Sequence, residues 1–274
     1  MLSNVSVSVV LFKTPVQQIL MCLDALFDMP LVKSVCVVDN SPTDVLGAVV
    51  SRYDKATYFH FPSNPGYGRA HNKAIEFSKK FDVKYHLIIN SDVLIKEDVL
   101  SPMVEYMDKF SDVGHMMPKV LNMDGSVQRL CKLVPTPMDL FLRRFYHLGF
   151  LNEARRKFEL HDSGYEKIMF VPYLSGCFML IRHQVLDEIG AFDERFFMYP
   201  EDIDLTRRIA EKYKTLFFPN VSVYHEHGAA SYKSFRMFLI HSYNIFKYFN
   251  KWGWFNDSKR DFLNKKTLNL LRSL

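Results

Sequence analysis

The first half of this chain alternates short β-branched runs with longer amphipathic stretches, and no other feature constrains its fold as strongly. Strands joined by helix-length crossovers pair in parallel, and a parallel sheet needs helices on both faces. The expectation is an α/β fold with a mostly parallel central sheet. Residues 5–11 read as a buried strand, Thr14-Pro15 as the opening of a helix through Ile19, Leu20, Leu23 and Leu26, and residues 35–38 as a second strand. A third strand near 57–61 leads into Ser63-Asn64-Pro65-Gly66-Tyr67-Gly68 and a helix over 69–80. The fourth, 86–89, runs into Asn90-Ser91-Asp92. Polar residues thus collect beyond the carboxyl ends of successive strands, where open α/β sheets bind ligands.

The second half is less regular. Residues 134–166 read as helices and a loop, 173–181 as a strand, 204–213 as a helix, and 216–218 with 221–224 as strand pieces. From Ser234 onward Phe235, Phe238, Leu239, Tyr243, Phe246 and Phe249 recur at spacings of three and four, the mark of an amphipathic helix. Without a Pro/Gly/Ser linker, the chain reads as one domain over 1–230 carrying a basic helical appendage over 231–274. The formal charge of +5 is concentrated there: residues 229–274 hold nine Lys or Arg against Asp257 and Asp261, which leaves the body slightly acidic.

With 274 residues, 48% of them hydrophobic, the chain is neither disordered nor a disulfide-built miniprotein. No apolar run reaches the ~20 residues of a membrane span, and the first ten residues lack a basic flank, so a cytoplasmic protein is expected. Cys22, Cys36, Cys131 and Cys177 are scattered without a CxxC pair and read as buried thiols.

Three segments carry chemistry. An apolar strand delivering Asp92 to the sheet's edge can hold a hard divalent ion through oxygen, or Asp92 can simply cap the next helix. In Tyr199-Pro200-Glu201-Asp202-Ile203-Asp204, acids at short range raise one another's pKa, so one can serve as a general base, or all can complement a helix N-terminus. In Tyr224-His225-Glu226-His227-Gly228, alternate strand residues share a face, so His225 and His227 are both candidates to join a metal at Asp92. The loop Asn64-Pro65-Gly66-Tyr67-Gly68 suits close backbone approach by a ribose or phosphate. It is not a dinucleotide fingerprint, and no P-loop occurs in the chain.

Taken in order, residues 9–12, Val38-Asp39-Asn40-Ser41, Asn64-Pro65-Gly66-Tyr67-Gly68 with Asn72, Asn90-Ser91-Asp92, Ser175-Gly176-Cys177-Phe178-Met179-Leu180, residues 190–193 and residues 197–205 resemble the inverting GT-A glycosyltransferases of family 2, closest to their rhamnosyltransferase-like branch. The resemblance implies a GT-A fold and a nucleotide-diphosphate sugar donor, dTDP- or UDP-linked, with rhamnose the best guess and galactofuranose or a hexosamine the alternatives. It implies that Phe12, Asp39 and Asn40 hold the base, that Gly66, Gly68 and Asn72 border the ribose and diphosphate, and that Asn90 and Ser91 lie at the donor. The family's Asp-x-Asp element stands here as Asn90-Ser91-Asp92, leaving Asp92 as the strong ligand for Mg²⁺ or Mn²⁺, joined by His225 or His227. Asp202 takes the place of the catalytic base, with Ser175, Gly176 and Glu201 on the acceptor side.

The acceptor implied is a glycan or lipid-linked oligosaccharide of bacterial surface polysaccharide synthesis. The basic tail can meet an anionic membrane surface, with Trp252 and Trp254 suited to that interface, or it can pack on the domain or on a second subunit. Nucleic acid is disfavoured by the acidic body. A nucleotidyltransferase would need a Gly- and basic-rich loop that residues 11–16 lack, and a non-catalytic sugar-nucleotide binder would have no use for the Glu-Asp pair.

Overall fold

The computed structural model describes residues 4–142, 149–226 and 235–273. In chain order the elements are β1 (Val5–Leu11), α1 (Val16–Phe27), β2 (Val32–Asp39), α2 (Gly47–Val50), β3 (Ala56–His60), α3 (Tyr67–Ser78), β4 (Tyr85–Asn90), β5 (Val93–Leu94), α4 (Leu100–Lys109), β6 (Val113–Leu121), β7 (Cys131–Lys132), α5 (Pro137–Leu142), α6 (Asn152–Phe158), β8 (Met169–Phe170), β9 (Tyr173–Leu174), β10 (Phe178–Arg182), α7 (His183–Ile189), α8 (Pro200–Ala210), β11 (Lys214–His225), α9 (Phe235–Trp252) and α10 (Ser258–Arg272). Among the described residues the main sheet has the order β3-β2-β1-β4-β10-β6-β11-β5, with β8 also on β11, while β7 and β9 form a separate pair.

Strands β3, β2, β1 and β4 are parallel, as are β6 and β11. Strand β10 runs antiparallel between β4 and β6 and joins the two halves. The period of two explains the composition of β1. Val5, Val7, Val9 and Leu11 join Ile19, Leu23 and Leu26 of α1 in the main core. Ser6 and Ser8 point the other way and bond to buried histidines: Ser6 Oγ lies 2.7 Å from His86 Nδ1, and Ser8 Oγ lies 2.7 Å from His71 Nδ1.

Three departures from the sequence reading have physical causes. The strand expected over 173–181 is two, β9 and β10, in different sheets, broken at Ser175-Gly176-Cys177. The sequence does not signal strand β6 because Gly114 and Pro118 are poor strand formers. Its proline is accommodated where the β11 register slips between Phe218 and Ser222. Helix α8 starts at Pro200, not 204, since Pro needs no hydrogen bond in the first turn. The C-terminal helices are built into the body: Ile245, Tyr248 and Phe249 of α9 share a core with Tyr173, Phe196 and Ile203.

Candidate active site

Strand β4 ends at Asn90, whose backbone N–H donates to Cys177 O at 3.0 Å in the turn before β10. That places Asn90-Ser91-Asp92 against Ser175-Gly176-Cys177. From the same turn, Gly176 N–H donates to Asp202 Oδ2 at 3.0 Å, and a Cβ on Gly176 would stand 3.1 Å from the Asp202 Cβ. Asp202 Oδ1 accepts from the Ile203 N–H at 2.8 Å, so both oxygens are oriented by the first turn of α8 and the turn facing it.

Tyr67 connects the two carboxylate segments. Its hydroxyl lies 2.9 Å from Asn90 Oδ1 and 2.9 Å from Gly176 O. One phenolic proton cannot serve both acceptors. Both contacts are satisfied if the Asn90 amide is turned to donate to Tyr67, whose proton then goes to Gly176. Burial first, then Glu201, Cys177, Asp202 and Asp92, push the phenol well above its ordinary range, so it is a neutral donor. The Cys177 thiol is pushed up to about 12, mainly by burial, with Asp92 and Asp202 adding to it. Tyr67 and Cys177 thus each lie in the electrostatic field of both Asp92 and Asp202. Ser175 lies at the same turn, its side chain within hydrogen-bonding reach of the Cys177 thiol. The Ser91 hydroxyl accepts from Gln18 Nε2 at 2.8 Å.

Asp92 faces the end of β11. Its Oδ1 is buried without a hydrogen-bond donor, 3.3 Å from His225 Nε2 but not aligned as a hydrogen bond. The tautomer follows from Gln128. Its Nε2 donates to the His225 carbonyl at 2.6 Å, so its Oε1 must be the atom 3.0 Å from His225 Nδ1. Nδ1 therefore carries a proton, and Nε2 is the ring nitrogen turned toward Asp92. A carboxylate oxygen and an imidazole nitrogen held face to face are groups that could hold a cation, and a ring nitrogen fixed by an amide carbonyl is the usual support of a metal-bound imidazole. Among the described residues no third His, Cys, Asp or Glu joins them. Such a cation would complete its shell with diphosphate oxygens and water, as Mg²⁺ commonly does. His227 lies outside the described residues.

Several expected contacts are made differently. Asp39 is fully buried, with Oδ1 accepting from Ser41 N–H and Oδ2 from the Tyr58 hydroxyl, both at 2.8 Å. Both oxygens are thus already held by protein donors. Phe12, 51% exposed, and the half-buried Tyr58 are the groups that reach solvent there. Asn40 is buried and donates to Gly66 O at 3.3 Å. Gly66 has φ +105°, and any Cβ would meet Phe197 O at 2.4 Å; at Gly68 it would meet the Phe192 side chain at 2.9 Å. These glycines let α3 abut the 192–197 loop, and no phosphate is needed to explain them. Asn72 uses its whole amide on that loop, donating to Phe192 O and accepting from Phe192 N–H, both at 2.9 Å.

Glu201 has its own surroundings. It is buried against Gly68, and burial with the neighbouring Asp202 raises its carboxyl well above the ordinary range. Asp204 is fully buried and bonded to Arg208, Lys251 and Trp252. Sequence reading missed Tyr67 as the link, Gln128 as the support of His225 and Tyr58 as the partner of Asp39. Tyr67 stood within the noted glycine loop, whereas Gln128 had no local signal at all.

Residues 6–190, about two thirds of the chain, match the family model described as "Glycosyl transferase family 2". The chain is 27% identical over 231 residues to an "N-acetylglucosaminyl-diphospho-decaprenol L-rhamnosyltransferase" of Mycobacterium tuberculosis, covering 75% of this chain and 74% of that one. Among solved structures it is similar to a mannosyltransferase, PcManGT, from Pyrobaculum calidifontis in complex with GDP-Man and Mn²⁺, with TM-score 0.60, 17% identity, and coverage of 92% of this chain and 64% of that one. It is also similar to GalNAc-T7 with UDP, GalNAc and Mn²⁺, with TM-score 0.60, 15% identity, and coverage of 82% and 44%. The chain thus spans less than two thirds of either solved protein.

Proposed function

The chain belongs to glycosyl transferase family 2, and from that premise we propose that it moves a sugar from a nucleotide diphosphate to a hydroxyl of a glycan or lipid-linked glycan in cell-surface polysaccharide synthesis, inverting the anomeric centre. It is a glycosyltransferase with a GT-A fold and a rhamnosyltransferase-like sequence. The donor we favour is dTDP-rhamnose, on the likeness to the mycobacterial rhamnosyltransferase; UDP-galactofuranose and UDP-hexosamines are the alternatives.

The observation that carries this reading is the hydrogen-bonded path from Asp202 through Gly176 and Tyr67 to Asn90, at the strand end that continues to Asp92. Asp202, oriented by two backbone N–H groups, takes the proton of the acceptor hydroxyl as that oxygen attacks the anomeric carbon. The bond from that carbon to the diphosphate oxygen breaks on the opposite face, and its electron pair leaves with the nucleoside diphosphate. Tyr67 holds the two segments in register, and burial beside Asp202 raises the Glu201 carboxyl, which disfavours a second negative charge next to the base. Asp92 and His225 would hold Mg²⁺ or Mn²⁺, which when bound supplies positive charge to the departing diphosphate.

The test is incubation with a panel of nucleotide sugars and Mn²⁺, scoring released nucleoside diphosphate. Asp202→Asn should lower turnover by about 10²–10⁴-fold with donor affinity kept. Activity within a few-fold of wild type would remove Asp202 from this role. Conversion of the nucleotide sugar to nucleoside triphosphate and sugar 1-phosphate when pyrophosphate is added, with no nucleoside diphosphate released, would instead identify a nucleotidyltransferase.

A further inference from the structure

Helix α9 has two unlike sides. Inward, Asn244, Ile245, Tyr248 and Phe249 are buried against the body. Outward, Leu239, Tyr243 and Phe246 are 52%, 62% and 52% exposed, and their spacing of four and three sets them in one stripe. The Phe246 ring lies 5.3 Å from Trp254, beside which Phe255 is 83% exposed. The expected interfacial role of Trp252 is not met: it donates to Asp204 at 2.8 Å and lies 3.9 Å from the Arg207 guanidinium.

Charge identifies what this stripe fits. The Lys247 ammonium stands 4.4 Å over the Tyr243 ring, and with Arg195, Phe196, Asn250 and Lys251 it lines a cleft of about 240 Å³ beside the stripe. Asp193 and the buried Asp204 offset part of that charge. The C-terminal segment as a whole nevertheless carries nine Lys or Arg against two acids. A second copy packed on the stripe by two-fold symmetry would set cations against cations. Among the described residues no helix is long and apolar enough to cross a membrane.

We propose that the Leu239, Tyr243 and Phe246 face of α9 docks on an anionic phospholipid bilayer, with the helix lying in the interface and its flanking cations at the headgroups. The placement matters for catalysis. Asn244 donates to Met198 O, Lys247 donates to Arg195 O, and His241 lies 4.6 Å from the Tyr199 ring, all on the loop that enters α8 just before Asp202. Docking therefore sets the base face about one helix diameter, roughly 10 Å, from the headgroups, within reach of a membrane-borne acceptor. This deepens the transferase reading, but binding to vesicles is scored without any sugar, so the two stand or fall separately.

The full chain is floated with phosphatidylcholine vesicles, with and without phosphatidylglycerol. Binding should require the anionic lipid and weaken with salt. The triple variant Leu239→Ser, Tyr243→Ser, Phe246→Ser should lose about tenfold or more of the binding while keeping its urea midpoint, because it alters only exposed side chains. Lys247→Gln should reduce binding to anionic vesicles. Equal flotation of the triple variant, equal binding to neutral vesicles, or no binding by the wild type would overturn the proposal. So would a wild-type dimer in sedimentation that the triple variant converts to monomer without vesicle binding.

Discussion

Asp92 and His225 could be singled out from the sequence because each ends an apolar strand, but Gln128 could not. Its meaning comes from a residue 97 positions away, which it contacts twice. Gln128→Leu keeps the side chain's bulk and removes both bonds, so the imidazole loses its enforced tautomer. Mn²⁺ affinity in the presence of a nucleoside diphosphate, read by calorimetry, should weaken by about 10–100-fold, the range for loss of a ligand's supporting partner. Unchanged affinity would separate His225 from the cation. Asp39 teaches the same lesson in reverse. Its motif is evident in the sequence, yet only the fold shows both oxygens already bonded to Ser41 and Tyr58.

At the scale of elements, α8 carries Asp202 at one end and is locked to the C-terminal helices at the other. The Arg207 and Asp257 side chains are 1% and 4% exposed and form two bonds of 2.7 and 2.6 Å, under the Trp252 ring. Burial alone would raise the Asp257 carboxyl, but the Arg207 bonds overcome it and hold the group below its usual range. Asp257 also caps α10 by accepting from the Arg260 N–H at 3.0 Å. Asn can keep the cap but not the charge. Asp257→Asn should therefore cost about 3–5 kcal/mol, as when one partner of a buried pair is removed, measured by urea unfolding. A loss under 1 kcal/mol would show that Arg207 finds another counter-charge. The period of α9 was readable from its aromatics, whereas its docking on α8 was not. An amphipathic pattern states that one face is buried but not against what.

For the whole molecule, the buried histidines set the response to acid. Burial drives His71 and His115 down to about 3, and His86 well below its ordinary value, with His183 and His71 adding to that effect. Unfolded, each would bind a proton near pH 6.5. Their contribution to stability is whole above that value and is lost as pH falls from about 6.5 toward about 3. By pH 5 each should have cost about 1–2 kcal/mol. Glu201 acts oppositely, since its raised carboxyl favours the folded state at low pH, but it is one group against three. The urea midpoint should fall from pH 7 to pH 5; a flat profile would mean that the histidines charge without unfolding. What the sequence by itself determined was the strand-and-crossover order and the ends of strands where chemistry gathers, because periodicity and chain connectivity are local properties. Only the tertiary structure decided that Gly176 and Tyr67 join Asp202 to the β4 end, that Gln128 aims His225, and that burial raises the Glu201 carboxyl. Those facts depend on distance, desolvation and field between residues far apart in the chain, which no local pattern encodes.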